Sequence, residues 1–158
     1  VEIKPEQVTS EQVEQTLFHV ANAEKIPLLI QILRTEQPDR CMIFLNTKRE
    51  SEKLTQILEA NDFKCGLMTG DVAQRKRNKL LEKFKQGEYP ILVATDVAAR
   101  GLHITGLSHV INFDLPQDPE DYVHRIGRTA RAGASGTAIS LACERYVYSL
   151  IEIEEYLG

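Results

Sequence analysis

Cys41-Met42-Ile43-Phe44-Leu45-Asn46-Thr47 is the stretch that decides the fold. An apolar run ends on two short polar residues, and Thr47 stands where it caps a helix that carries Leu54, Ile57 and Leu58 inward. A strand that is apolar throughout is covered on both faces, which is the mark of a parallel sheet between layers of helix.

The same pattern recurs on either side. Cys65–Met68 runs into Thr69-Gly70-Asp71, Ile91–Ala94 into Thr95-Asp96, and Val110–Phe113 into Asp114-Leu115-Pro116. Leu17–Val20 and Ile139–Leu141 read as outer strands. Between them, the spacing predicts helices over Glu24–Glu36, with Ile26, Leu29, Ile30 and Leu33 on one face, and from Val72 to about Lys85. Asp71 and Gln74 have the spacing of a capping box. Asp118-Pro119 opens a further helix, proline being favoured at its first position, and a final helix spans about Glu144 to Leu157. The class is α/β, a parallel sheet sandwiched between helices, as one domain over residues 1–158. Ligands of such sheets bind beyond the carboxyl ends of the strands, so chemistry is expected in the turns just quoted.

Composition agrees with a folded domain: 42% hydrophobic and 27% charged residues among 158. No apolar run approaches the roughly 18 residues that span a membrane. Cys41, Cys65 and Cys143 lie far apart without a C-x-x-C pair, which points to buried thiols in a reducing cytoplasm and to no metal site. The chain opens at Val1, and we take it as part of a longer protein. Net charge is −4, so nucleic acid would have to be held by a local cluster. The acids gather near the ends (Glu2, Glu6, Glu11, Glu14; Glu144, Glu152, Glu154, Glu155), and the middle is more basic.

The strongest local signal is His124-Arg125-Ile126-Gly127-Arg128-Thr129-Ala130-Arg131-Ala132-Gly133. Three arginines recur at every third residue, with no acid between Tyr122 and Cys143. In helical form His124, Arg128 and Arg131 share one face, and Gly127 and Gly133 permit close backbone approach and a sharp stop. Guanidinium groups so arranged suit a bidentate grip on phosphate oxygens; pairing of each Arg with a distant carboxylate is the plainer alternative. A second segment, Ala94 to Ile104, offers Thr95 and Asp96 at the sheet edge, and Asp96 with Arg100 has the spacing of a local salt bridge. In a third, Gln74, Arg77, Leu81 and Phe84 form one stripe of a helix whose lower part is core and whose first turn meets the ligand edge. Arg75, Lys76, Lys79 and Lys83 read as a solvated face. No G-x-x-x-x-G-K-[ST] is present to cradle a nucleoside triphosphate.

Together these segments resemble the second domain of bacterial DEAD-box RNA helicases. Met42 to Lys48 is similar to motif IV, Gly70 with Gln74 and Arg77 to the Q-x-x-R element, Ala94 to Ile104 to motif V, Val110 to Pro116 to motif Va, and His124 to Gly133 to motif VI. The phrases T-G-D-V-A-Q, A-A-R-G-L-H-I and R-A-G-A-S-G resemble one bacterial branch. Two positions depart from the pattern: His103 where the family has Asp against the ATP ribose, and Ala130 where it has Gly.

The resemblance implies a RecA-like fold and ATP-driven local unwinding of RNA. ATP with Mg2+ would be bound mainly by an N-terminal RecA-like domain that carries the P-loop and the acidic motif, leaving this chain inactive alone. Arg128 and Arg131 would then be catalytic. Asp96, Arg100, Gly101, His103, His124 and Arg125 would serve ATP and the interdomain contact. Thr47, Lys48, Gly70, Gln74, Arg77 and Thr95 would hold the RNA backbone, largely without regard to sequence. The same likeness implies a second role, docking on a ribonuclease E-type RNA-degradation scaffold. A flavodoxin-like domain that binds a phosphate-bearing cofactor is a third reading, and it requires the arginine segment to be coincidental.

Overall fold

The computed structural model describes residues 13–129 and 136–158. Six parallel strands stand in the order β1-β6-β5-β2-β4-β3: β1 (Val13–His19), β2 (Cys41–Phe44), β3 (Cys65–Met68), β4 (Ile91–Ala94), β5 (His109–Asn112) and β6 (Gly136–Ala142). Helices α1 (Lys25–Glu36), α2 (Lys48–Ala60), α3 (Gln74–Lys85), α4 (Asp96–Ala99), α5 (Pro119–Ile126) and α6 (Val147–Leu157) connect them. The expected central strands fall within one residue of the observed ones. The outer pair β1 and β6 run longer than their apolar cores predict, because each extends along the other in register from Val13↔Gly136 to His19↔Ala142.

Alternation along β2 shows why the strand must be apolar on both sides. Cys41, Ile43 and Leu45 join Leu29, Leu33, Leu54 and Leu58 beneath α1 and α2. Met42 and Phe44 turn the other way, to Phe84, Ala98 and Ala99 of α3 and α4. On that second face, α5 and α6 cover β1 and β6 through Tyr122, Ile126, Leu150 and Ile153. α2 thus leaves β2 toward one face while α5 leaves β5 toward the other. The loops part between these neighbouring strands and open a crevice at their carboxyl ends.

Capping follows the sequence at α2 and α5. Thr47 Oγ1 accepts from Glu50 N, and the Asp118 carboxylate accepts from Glu120 N with Pro119 in the first turn. The box expected at Asp71 and Gln74 does not form. Helix α3 starts at Gln74, and the Asp71 carboxylate is engaged by Thr69 Oγ1 at 2.8 Å and by the Lys48 ammonium. Both lower the Asp71 pKa, Lys48 more strongly, while Asp71 raises that of Lys48.

Helix α1 buries Lys25, Leu29, Ile32 and Leu33. The hydrophobic stripe therefore begins on a charged residue, which the periodicity of apolar positions overlooks. Lys25 Nζ donates to Asp114 Oδ1 at 2.7 Å, both side chains being at most 2% exposed. It also lies 4.5 Å from the Phe113 ring centroid. A buried cation survives there because a carboxylate and an aromatic face replace its water.

Among the described residues no helix is long and apolar enough to cross a membrane. All three cysteines are buried and free. Burial raises the Cys41 thiol far above its ordinary range, and burial, with a smaller contribution from Glu59, pushes Cys65 up to about 11.

Two outcomes are expected. Lys25→Met strands the Asp114 carboxylate and should lower the unfolding free energy by about 3–5 kcal/mol in urea titration; a loss under about 1 kcal/mol would show that water reaches the carboxylate. Cys41 and Cys65 should resist iodoacetamide at pH 8 in the native protein and react in urea. Because their folded pKa values are raised, they add stability below the unfolded thiol pKa of roughly 8.5 and lose it as pH rises further.

Candidate functional site

The crevice between β2 and β5 is filled by the guanidinium of Arg125, on the last turn of α5 and 1% exposed. Its Nε donates to Asp96 Oδ1 at 2.8 Å and Nη2 to Asp96 Oδ2 at 2.6 Å, a bidentate fork. Nη2 also donates to Asn46 Oδ1 (3.1 Å), and Nη1 to Asn112 Oδ1 (3.1 Å) and the Asp114 carbonyl (2.7 Å). The Phe44 ring lies 5.0 Å from the guanidinium carbon. One side chain thus joins the ends of β2, β4 and β5.

Around it the donors and acceptors are matched. Asp114 Oδ2 accepts from Asn46 N, Asn46 Nδ2 donates to the Leu115 carbonyl, and Asn112 Nδ2 donates to Ser140 Oγ. Through Asp114 the network reaches Lys25. The distant-carboxylate alternative therefore holds for Arg125. The local bridge expected between Asp96 and Arg100 is absent: Asp96 is taken by Arg125, and Arg100 reaches Asp121 at 3.4 Å.

Arg128 behaves differently. The helix ends at Ile126, with Gly127 as its C-cap in the ordinary right-handed conformation (φ −62°), so the shared helical face expected of His124 and Arg128 is not formed. Arg128 follows in a turn, half-buried, and among the described residues donates to backbone carbonyls alone: Nη2 to Ala99 at 2.9 Å, Nη1 to Leu102 at 3.1 Å and Ile104 at 3.5 Å. Burial pulls its pKa below the ordinary arginine value, and the nearby Asp96 charge opposes this. Its charge is oriented, and among the described residues no carboxylate contacts it. Thr129 fixes the turn by donating to the Leu107 carbonyl at 2.7 Å. It also lies so close to Gly136 that a Cβ there would be 1.6 Å from Thr129 Oγ1. Arg131, Ala130 and Gly133 lie outside the described residues.

Asp96, Arg100, Gly101, His124, Arg125 and Arg128 line one cavity of about 170 Å³, together with Phe44, Ala99 and Asp121. Gly101 turns the chain at φ +80°, a left-handed conformation that side chains rarely adopt. An adjoining cavity of about 250 Å³ is lined by Asn46, Thr95, Asp96, Val97, Arg100, Gln117, Asp118 and Asp121. His103 lines neither and is exposed.

The second group gathers along the same edge, beginning with Thr95 in the wall of the adjoining cavity. Thr95 Oγ1 caps α4 by accepting from Ala98 N, and Arg77 Nη2 donates to the Ala98 carbonyl at 3.0 Å. Arg77 Nε is buried with no partner among the described residues. A Cβ at Gly70 would touch Val97 at 3.4 Å, and Lys48 reaches across to Asp71. Gln74 is exposed and donates to Asn78.

Sequence reasoning assigned no individual role to Asn46, Asn112, Asp114, Asp121 or Lys25, although Asn46 and Asp114 stand in turns where it expected chemistry. A signal did exist for two of them: Asn46 and Asn112 are amides at the ends of strands whose other residues are apolar.

The chain matches the model for the helicase conserved C-terminal domain over residues 24–133. It is 57% identical over all 158 residues to the ATP-dependent RNA helicase RhlB of Pectobacterium carotovorum subsp. carotovorum (strain PC1), and spans 37% of that protein's length. Among solved structures it resembles the E. coli DEAD-box protein SrmB bound to regulator of ribonuclease activity A (TM-score 0.88, 35% identity, 94% of this chain and 88% of that one). It also resembles a DEAD box protein of the hyperthermophile Methanococcus jannaschii (TM-score 0.86, 40% identity, 92% of this chain and 40% of that one). The parallel sheet flanked by helices is thus shared with DEAD-box proteins, and the chain belongs to the helicase conserved C-terminal domain family.

Proposed function

We propose that this chain is the second half of an ATP-dependent RNA helicase core, and that its cavity beside Arg128 closes on the phosphates of ATP held mainly by an N-terminal RecA-like domain. The observation that carries this reading is the contrast between two arginines. Arg125 is neutralised by Asp96, whereas Arg128 is held by three carbonyls at the rim of the same cavity and keeps its charge. A guanidinium fixed in that way needs no reorganisation when negative charge develops nearby, and that is how a preorganised cation lowers a phosphoryl-transfer barrier.

The residues present fit the phosphate end of a nucleotide. When bound, ATP with Mg2+ supplies the transferable phosphoryl group. Arg128, with Arg131, stabilises its charge; His124 and Arg100 stand at the cavity wall where a second domain would meet them. Asp96 is committed to Arg125 and acts by positioning. Thr47, Lys48, Gly70, Gln74, Arg77 and Thr95 form the RNA-facing edge, where contacts to the sugar-phosphate backbone carry no sequence information. Among the described residues the Arg77 side chain donates to the Ala98 carbonyl and meets no carboxylate, which supports an anionic partner at that edge.

A second reading rests on α6. Val147, Tyr148 and Ile151 are exposed, Tyr148 at 79%, and Glu152, Glu154 and Glu155 lie exposed along the same helix. An apolar strip with acidic neighbours suits a docking role, such as attachment to a ribonuclease E-type scaffold, and the similar SrmB was solved bound to another protein. Both roles are compatible, since α6 packs beside β1 and β6, away from the cavities.

In the intact protein, Arg128→Ala and Arg131→Ala should each lower RNA-stimulated ATP turnover on the order of 10³-fold, with RNA affinity little changed; turnover within a few-fold of wild type would overturn the assignment. The chain alone should not hydrolyse ATP. For the second reading, Tyr148→Ala with Ile151→Ala should abolish pull-down by a ribonuclease E-type scaffold while leaving turnover intact, and capture of the variant as efficient as that of wild type would remove α6 from consideration.

A further inference from the structure

The outer face of α3 has no role in the site described above. In an acidic chain of net charge −4, α3 carries Arg75, Lys76, Arg77, Lys79, Lys83 and Lys85 against a single acid, Glu82. Glu82 itself is hydrogen-bonded by Gln86. Neighbouring α2 offers a contrast: there Lys48, Arg49 and Lys53 alternate with Glu50, Glu52 and Glu59. A solvated face that served only solubility would be expected to mix signs as α2 does.

Geometry concentrates the charge further. At about 100° per residue, Arg75, Lys79, Lys83 and Lys76 fall within an arc of about 100°. Leu80, Leu81 and Phe84 take the opposite side, toward the core. All four cations are exposed. Among the described residues Arg75, Lys76 and Lys79 have no ion pair or hydrogen bond, and Lys83 only overlies the Tyr89 ring at 5.5 Å. They form a ridge whose upper end, Arg75, adjoins Gln74 at the sheet's carboxyl edge.

We infer that this ridge is a second RNA-contact surface, which takes the phosphodiester backbone of a strand after it leaves the edge formed by Gly70, Gln74 and Arg77. This rests on the helicase reading above and adds to it an RNA path outside the cleft. The ridge binds by charge, so it prefers no sequence and rewards length. Strands that reach it are held more tightly, and their binding is more sensitive to salt, than strands that fill the cleft alone.

The test uses the intact helicase and compares wild type with Lys76→Gln/Lys79→Gln/Lys83→Gln. Binding of fluorescent single-stranded RNA is measured across a salt series, with one strand just long enough for the cleft and one several times longer. The exposed Lys-to-Gln changes keep helix propensity, and equal melting temperatures establish that folding is unaffected. On the long strand the variant should lose ~10-fold or more in affinity, and its log–log salt slope should fall by about 2, from ~0.7 per lost phosphate contact. On the short strand it should match wild type, and Lys→Arg at the same positions should restore long-strand binding. An unchanged slope on the long strand, or an equal loss on both strands, would overturn the ridge. Failure of wild type to bind the short strand would instead count against the cleft reading, and the ridge would still be judged on the long strand.

Discussion

Five hydrogen bonds from one buried guanidinium hold the candidate functional edge of this domain together. Without Arg125, the carboxyl ends of β2, β4 and β5 would present Asn46, Asp96, Asn112 and the Asp114 carbonyl to a crevice with no donor to satisfy them. Burying such acceptors unpaired is costly, and a partly satisfied network is worse than an apolar core. Only arginine offers a planar fork with donors enough for a bidentate carboxylate and three further acceptors. The arrangement of Arg128, His124 and Arg100 around the cavity follows from where Arg125 pulls α5 against the loop after β4.

A second charge centre lies directly beneath the first. Asp114 accepts from Lys25 with one oxygen and from Asn46 N with the other, while its carbonyl serves Arg125. The start of α1, the exit of β5 and the exit of β2 are thereby referred to one carboxylate. Such a chain of buried polar groups specifies a unique arrangement more than it adds net stability. For a surface proposed to meet a second domain, relative position is the quantity that counts.

Legibility in the sequence followed the physics of each feature. The central strands were readable because full burial demands uninterrupted apolar runs, and the caps at Thr47 and Asp118 because short polar side chains serve local N–H groups. The RecA-like likeness named the site segments, and the structure brings Asp96, Arg100, Gly101, His124, Arg125 and Arg128 to one cavity. Local spacing failed where a distant partner wins. Asp96 prefers Arg125 to Arg100, and Asp71 turns to Lys48 and Thr69 instead of capping α3. Lys25 was invisible to a search for apolar periodicity because the residue that compensates it lies in another strand's exit loop. The two arginines of one motif could not be told apart from spacing alone, since their difference lies in which acceptors the fold places within reach.

The pairing of β1 with β6 has its own bearing on how the domain is made. Among the described residues β1 stands at the sheet's edge beside β6, so the first described strand pairs with the last. The described partner of β1 is made only once nearly all of the chain from Val13 to Ala142 has been synthesised. Closure of that long loop must be compensated late. In the interval Phe18, exposed even in the folded domain, stands on a strand whose β6 partner is not yet made, an edge of the kind that other chains can capture. Of the described strands, the earliest in sequence can thus be secured only after those at the centre of the sheet have been made.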